Sequence, residues 1–216
     1  MQFEVHLDDK FVSLHTTTVG DYNVSNLTGV IACLCALGQR LDDAAKACQA
    51  LPPVPGRMEL LGVAGEPLVI VDFAHTPDAI EKALRAIQPL AALRGGDIIC
   101  VLGCGGNRDK AKRPLMAAVA ETYAQQIVLT SDNPRLEDPE AILHDMRVGL
   151  KAPQSARVVV DRAQAIAEAV QHAQQNDLVL IAGKGHETYQ EINDVKYPFS
   201  DQLHAQQAIR NRSMHV

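Results

Sequence analysis

From residue 60 onward, short apolar runs alternate with segments of helical period, and this alternation limits the possible folds more than any other feature of the chain. The runs are "PLVIVD", "DIICVLG", "QIVLT", "ARVVVD" and "DLVLIAG", and the segments between them span 77 to 92, 112 to 125, 138 to 150 and 162 to 174. Runs that are apolar throughout belong to strands covered on both faces, and helical crossovers between them make the strands parallel. The expected fold class is α/β, a mostly parallel, doubly wound sheet. The first helix is well punctuated: Thr76 suits the N-cap, Pro77 the first helical position and Asp78 the first turn. The late segment "VKYPFSDQLHAQQAIRNR" reads as a short strand and a closing helix that opens near Ser200.

The first 55 residues follow a different plan. "MQFEVHLDDKFVSL" reads as a hairpin turning near Asp8 and Asp9, and "VSNLTGVIACLCALG" and "LDDAAKACQAL" read as two helices. A hairpin and two helices are too little to enclose a core. "LPPVPGRME" then concentrates prolines as a stiff interdomain spacer does. The expected division is 1–54, the end of one domain, and 55–216, a complete α/β domain.

Composition narrows the partners. With 216 residues and 47% apolar content, the chain can bury a core, while its net charge of −6 offers no basic field for nucleic acid or anionic lipid. The sequence has no run of roughly 20 apolar residues and no secretory leader pattern, so a cytoplasmic protein is expected. The five cysteines, Cys33, Cys35, Cys48, Cys100 and Cys104, have no CxxC spacing; they are expected to be small buried residues, with no metal site.

Open parallel sheets bind ligands beyond the carboxyl ends of their strands. The segments that follow the apolar runs there are "DFAHTPD", "GCGGNRDKAKR", "SDNPR" and "GKGHET". In the second, glycines let backbone amides approach an anion, and Arg108, Lys110, Lys112 and Arg113 supply positive charge. In the last, a lysine, a histidine and Glu187 sit between or beside glycines, with groups of both signs for one ligand. In the third, Arg135 offers a planar fork for a carboxylate, while Asp132 and Asn133 can accept protons from an ammonium. That combination complements a zwitterion, and Glu187 and Arg108 would suit an amino acid with two such ends. Taken singly, each segment is also what an ordinary polar turn or a glycine loop looks like, and a lone histidine such as His75 is more often a satisfied buried residue than a catalytic base.

In order along the chain, "GDYNVSN", "PGRME", "DFAHTPDAIEK", "GCGGNRDKAKRP", "SDNPR" and "AGKGHETYQ" resemble the second half of a Mur ligase, most closely of the MurE type. The resemblance implies that residues 1–54 end the central ATPase domain and 55–216 form the dinucleotide-fold C-terminal domain. It implies an ATP- and magnesium-dependent amide ligase that adds meso-2,6-diaminopimelate to UDP-MurNAc-L-Ala-D-Glu through an acyl phosphate. By resemblance, Arg108, Asp132, Asn133, Arg135, Gly183 and Glu187 hold diaminopimelate; Asn23 and Asn26 lie on the adenine side; Arg57 and His75 serve the nucleotide; and Asp72 sits in the hinge-side loop. "DNPR" goes with diaminopimelate, because lysine-adding relatives lack that arginine.

Phe73 stands where the family usually has tyrosine, which keeps a ring and removes a hydroxyl. No P-loop and no carbamylated magnesium-holding lysine of the family fall within these residues, so the chain alone is expected to be inactive. Its partners are expected to be small molecules, and its 1–54 segment is expected to promote self-association, although the full-length enzyme is expected to be a monomer. Two other readings stay open: a lysine-adding or folylpolyglutamate-synthase-like ligase, and a non-catalytic α/β binding module.

Overall fold

The structure, a computed structural model, describes residues 1–62 and 65–214. The chain divides into two compact units, Met1–Val54 and Pro55–Val216.

In the first unit, β1 (Gln2–Leu7) and β2 (Lys10–His15) form an antiparallel hairpin. Its turn contains Asp8 at φ 52°, a left-handed conformation that aspartate tolerates. Helices α1 (Asp21–Ala36) and α2 (Leu41–Gln49) follow. Leu41, Ala44, Ala45 and Cys48 recur at helical spacing along α2 and pack with Val5, Leu14 and Ile31 in one small cluster. Only Ile31 of α1 is fully buried. The expectation of buried cysteines therefore fails in part: Cys48, Cys100 and Cys104 are buried, Cys35 is half-buried and Cys33 is exposed, because α1 turns that face outward.

The second unit runs β3 (Glu59–Leu61), β4 (Leu68–Asp72), α3 (Pro77–Arg94), β5 (Ile98–Leu102), α4 (Lys112–Tyr123), β6 (Gln126–Leu129), α5 (Pro139–Arg147), β7 (Arg157–Val158), α6 (Arg162–His172), β8 (Leu178–Ala182), β9 (Tyr189–Ile192), β10 (Val195–Pro198) and α7 (Asp201–Ser213). Its six-stranded sheet has the order β3-β4-β8-β5-β6-β7, with β3 antiparallel and every other pair parallel. Because β8 enters between β4 and β5, the loops after these strands diverge and leave a crevice at the carboxyl edge.

Alternate strand residues face opposite layers. Val69, Val71, Ile99, Val101, Val179 and Ile181 pack against Ile166, Val170, Ala205 and Ile209 of α6 and α7. Ile70, Cys100 and Leu180, with the opposite parity, are also fully buried, as are Ile80, Leu84, Ile87 and Met116 of α3 and α4. The helix starts obey local chemistry: Thr76, Asp138, Asp161 and Ser200 each accept a backbone N–H at the N-cap of α3, α5, α6 and α7. At the start of α6, Arg162 is completely buried and forms a two-pronged bond to Asp201 of α7, with both distances 2.8 Å.

Two local expectations need correction. The spacer "LPPVPGRME" does not stay free at its end: Glu59–Leu61 pairs with β4, and Met58 donates its N–H to Asp72 Oδ2 at 2.8 Å. "ARVVVD" contributes only Arg157–Val158, because β7 is an edge strand that pairs on one side with β6. The expected short late strand is present as β10, paired with β9 in a separate hairpin.

Candidate functional site

Four loops at the carboxyl edge surround a cavity of about 220 Å³. The loop after β4 contributes Phe73 and His75; the loop after β5, Gly103, Cys104, Gly105, Arg108 and Lys112; the turn after β6, Asp132, Asn133 and Arg135; and the loop after β8, Gly183 and Glu187. The glycine at 183 is required by geometry. It has φ +123°, and a Cβ there would lie 2.7 Å from Asp132 Oδ2.

The polar groups of the turn after β6 are held from behind. Asn133 donates its amide to Glu187 Oε2 at 3.0 Å and accepts from Lys184 Nζ at 2.9 Å and from Glu191 N at 3.0 Å. Lys184 also donates to Glu187 Oε2 at 2.7 Å. Asp132 Oδ1 accepts from Asn133 N at 2.7 Å, and its backbone oxygen accepts from Gln190. Arg135 donates from Nη1 to Gly106 O at 2.8 Å and pairs through Nε with Glu191 at 3.2 Å. Among the described residues, the other carboxylate oxygens of Asp132 and Glu187 make no hydrogen bond, so each retains acceptor capacity.

The glycine loop and this turn are laced together beneath the cavity. Gly106 donates its N–H to Asn133 O at 2.9 Å. Leu136 donates its N–H to Asn107 Oδ1 at 3.0 Å. Glu137 accepts from Asn107 N and takes both its oxygens to Arg113 Nη2 at 2.9 Å. The Asn107 N–H first, and then the Arg113 guanidinium, hold the Glu137 carboxyl at about 2, well below its usual range. Arg113 is fully buried, and its other prong reaches Asp145 of α5 at 2.8 Å.

These contacts sort the four basic residues of "GNRDKAKR". Arg108 and Lys112 line the cavity, whereas Arg113 and Lys110 pair with the Glu137 carboxylate. In "GKGHE", Lys184 is fully buried and its ammonium binds Asn133 and Glu187, which holds those two side chains together. Sequence reasoning missed Lys184, Glu191 and Arg113 as organisers. Apart from Glu187, three residues beyond Lys184, their partners lie 24 to 58 residues away, and Glu191 comes from a hairpin with no helical or alternating signal.

The residues given to the nucleotide are divided. His75 lines the same cavity as the amino-acid set, and its ring packs edge-on against Phe73, with centroids 4.7 Å apart. Arg57 lies over the other ring contact of this group, its guanidinium 4.6 Å from the Phe73 centroid. Phe73 thus keeps the stacking role of a ring without a hydroxyl. Asp72 is buried and accepts from Met58 N and Ala74 N; burial pushes its carboxyl up, and those N–H groups and Arg57 pull it back. Asn23 and Asn26 lie on α1 of the first unit, where Asn23 bonds Val19 O at 2.7 Å and Asn26 bonds Asn23. Burial also pushes the Cys104 thiol up, which makes it a poor nucleophile. Among the described residues, no three His, Cys, Asp or Glu side chains gather to hold a metal ion, and no helix is long and apolar enough to cross a membrane.

Comparison with known proteins converges on one group. The family description "Mur ligase, glutamate ligase domain" matches residues 56–185. The UDP-N-acetylmuramoyl-L-alanyl-D-glutamate--2,6-diaminopimelate ligase of Acidovorax sp. (strain JS42) is 57% identical over 199 residues, 92% of this chain and 40% of that protein. The protein of the same name from Coxiella burnetii (strain RSA 493 / Nine Mile phase I) is 50% identical over 90% of this chain and 39% of its own length. A solved structure of a ligase of that name superposes with a TM-score of 0.70 at 36% identity, over 100% of this chain and 43% of that one. A folylpolyglutamate synthase from Thermotoga maritima shares the fold, with a TM-score of 0.64 at 19% identity over 84% of this chain and 40% of that one. The chain spans about 40% of the length of the curated relatives it matches.

Proposed function

We propose, from the premise that this chain belongs to the Mur ligase family, that it is the amino-acid-binding portion of an ATP-dependent ligase joining meso-2,6-diaminopimelate to the D-glutamate carboxyl of UDP-MurNAc-L-Ala-D-Glu in peptidoglycan precursor synthesis. The observation that carries the reading is that Arg108, Asp132, Asn133, Arg135, Gly183 and Glu187 border one cavity. In it, two guanidinium groups and two carboxylates with unengaged oxygens match a ligand with two acid and two ammonium groups. Residues 1–54 would then be the end of the central domain and 55–216 the C-terminal domain.

In this chemistry the chain's own residues bind and aim. Asp132 and Glu187 orient the ammonium groups, Arg135 and Arg108 take the carboxylates, and one amine, once deprotonated, attacks the activated D-glutamate carbonyl. A C–N bond forms as phosphate leaves. ATP, when bound, supplies the phosphoryl group that activates the carboxyl. The Arg57 guanidinium, His75 and the Phe73 ring offer a stacked surface suited to it. Magnesium, when bound with ATP, would neutralise charge on its phosphates. The proposed substrates, soluble nucleotides and an amino acid, support a cytoplasmic location. The full-length protein is read as a monomer, whereas this chain, with Phe11 and Leu37 62% and 80% exposed, self-associates.

L-Lysine would leave without a carboxylate those Nη donors of Arg135 that Glu191 and Gly106 do not engage, and donors a site has built for a ligand group can discriminate by about 10⁴ when that group is missing. Titration calorimetry of the chain should show diaminopimelate binding more tightly than L-lysine, with the preference lost in Arg135→Ala. Equal affinity for the two ligands in the unaltered chain would overturn the reading.

A further inference from the structure

Arginine at position 135 has φ +53°, the left-handed region that a bulky side chain seldom occupies. Such strain, on the order of 1–3 kcal/mol, persists only where the surroundings hold it. Here they hold it at several points. Its backbone N–H donates to Glu191 O at 3.0 Å and its carbonyl accepts from Asn193 N at 2.8 Å, so the turn bridges the β9–β10 hairpin at Ile192. Its side chain is fixed by Glu191 Oε2, 3.2 Å from Nε, and by Gly106 O, 2.8 Å from Nη1. Both members of the ion pair are largely withdrawn from water, at 20% and 21% side-chain exposure, so solvent screens it less than a surface pair. The hairpin has no strand-to-strand bonds with the main sheet, and its tight turn needs Asn193 and Asp194 at φ 50° and 59°.

We propose that Glu191 is a positioning residue that sets the preference of the cavity for an amino acid with a second carboxylate. It does so by occupying Nε of Arg135 and leaving only the Nη donors for the ligand. The proposal rests on the reading of Arg135 as a carboxylate partner. A guanidinium has five N–H donors in a rigid plane, so fixing one edge fixes the direction of the rest. Without Glu191, the Arg135 side chain keeps its charge but is free to rotate about the Gly106 bond. The opposite view is that Glu191 competes with the ligand carboxylate for one cation. The two views predict opposite signs when the Glu191 carboxylate is removed.

The test is a double-mutant cycle on the full chain, read by calorimetric titration with meso-diaminopimelate and, separately, L-lysine. Glu191→Ala is expected to weaken diaminopimelate binding about tenfold, the size of one charged hydrogen bond, and to leave lysine binding within about twofold. Glu191→Gln, which keeps an oxygen acceptor and the backbone bonds, should recover part of the loss and guards against misfolding of the alanine variant. In an Arg135→Ala background, Glu191→Ala should add nothing. Unchanged or tighter diaminopimelate binding in both Glu191 variants, or equal weakening of both ligands, overturns the proposal while the Arg135 reading stands. If the unaltered chain shows no preference for diaminopimelate, or Arg135→Ala retains it, the parent reading fails and the proposal falls with it.

Discussion

Val30 and Leu37, in and just after α1, are 44% and 80% exposed, whereas every residue of β5 and β8 is buried. Both regions are rich in apolar side chains. The second unit brings its own cover, with α6 and α7 on one face of the sheet and α3, α4 and α5 packed side by side. The first unit has one hairpin and two helices, enough to enclose a patch around Leu14 and Ile31 but not to cover α1. Closure of a core thus depends on how many layers a segment supplies, not on how apolar its sequence is. Each difference between the units can be tested by substitution.

The largest contrast lies at the buried pair Arg162–Asp201, where neither side chain is exposed. Asp201→Ala leaves a guanidinium without its counter-charge and is expected to cost about 3–5 kcal/mol in urea unfolding. A loss below about 1 kcal/mol would show that water reaches this corner and that the second unit is less tightly closed than described. Next is Leu84→Ala in α3, a fully buried side chain, with an expected loss of about 2–5 kcal/mol. A similar loss from Val30→Ala would erase the distinction between the units.

Gly183→Ala tests the site rather than the core. An added Cβ would meet Asp132 Oδ2 at 2.7 Å in a left-handed backbone, so a loss of about 1–3 kcal/mol is expected. Diaminopimelate binding should fall with it, because Asp132 must move. Full stability together with full binding would show that this loop is not tightly fixed.

A smaller effect should appear only in acid. The Glu137 carboxyl is depressed from 4.5 to about 2, so the folded state binds its proton less readily than the unfolded chain does. Its contribution to stability is therefore complete above pH 4.5 and is lost as the pH falls towards 2. Glu137→Gln should be less stable than the unaltered chain at pH 6, and the gap should narrow as the pH drops through that window. A gap that does not change with pH would mean that the Asn107 and Arg113 bonds do not depend on the charge.

The parallel strands were legible because a strand buried on both faces must be apolar along its whole length, as "LVIVD" and "LVLIA" are. The helix starts at Thr76 and Ser200 were legible because capping is local chemistry. Glu59–Leu61 was not, since a three-residue edge strand next to prolines looks like a spacer until β4 lies beside it. "ARVVVD" misled in the opposite direction: its valines have high β-propensity, but only one neighbour is available for pairing. The cavity-lining groups could be placed at strand ends by the logic of open sheets. The residues behind them, Lys184, Arg113 and Glu191, could not, because Asn133, Glu137 and Arg135, to which they respectively bind, are brought near only by the tertiary fold.

The smallest expected effect makes the sharpest use of the contrast between the units. Val30→Ser and Leu37→Ser together should change unfolding stability by no more than about 0.5 kcal/mol, because side chains already in water give up little on replacement. The same double variant should reduce any concentration-dependent association seen by light scattering, since apolar surface that finds no cover within its own chain favours covering by another. The two measurements separate two kinds of apolar residue. A residue that closes the core of its own unit alters unfolding and not association, whereas an uncovered one does the reverse. A stability loss above about 1 kcal/mol with no change in scattering would place Val30 and Leu37 in the first class, and the first unit would then close its own core as the second does.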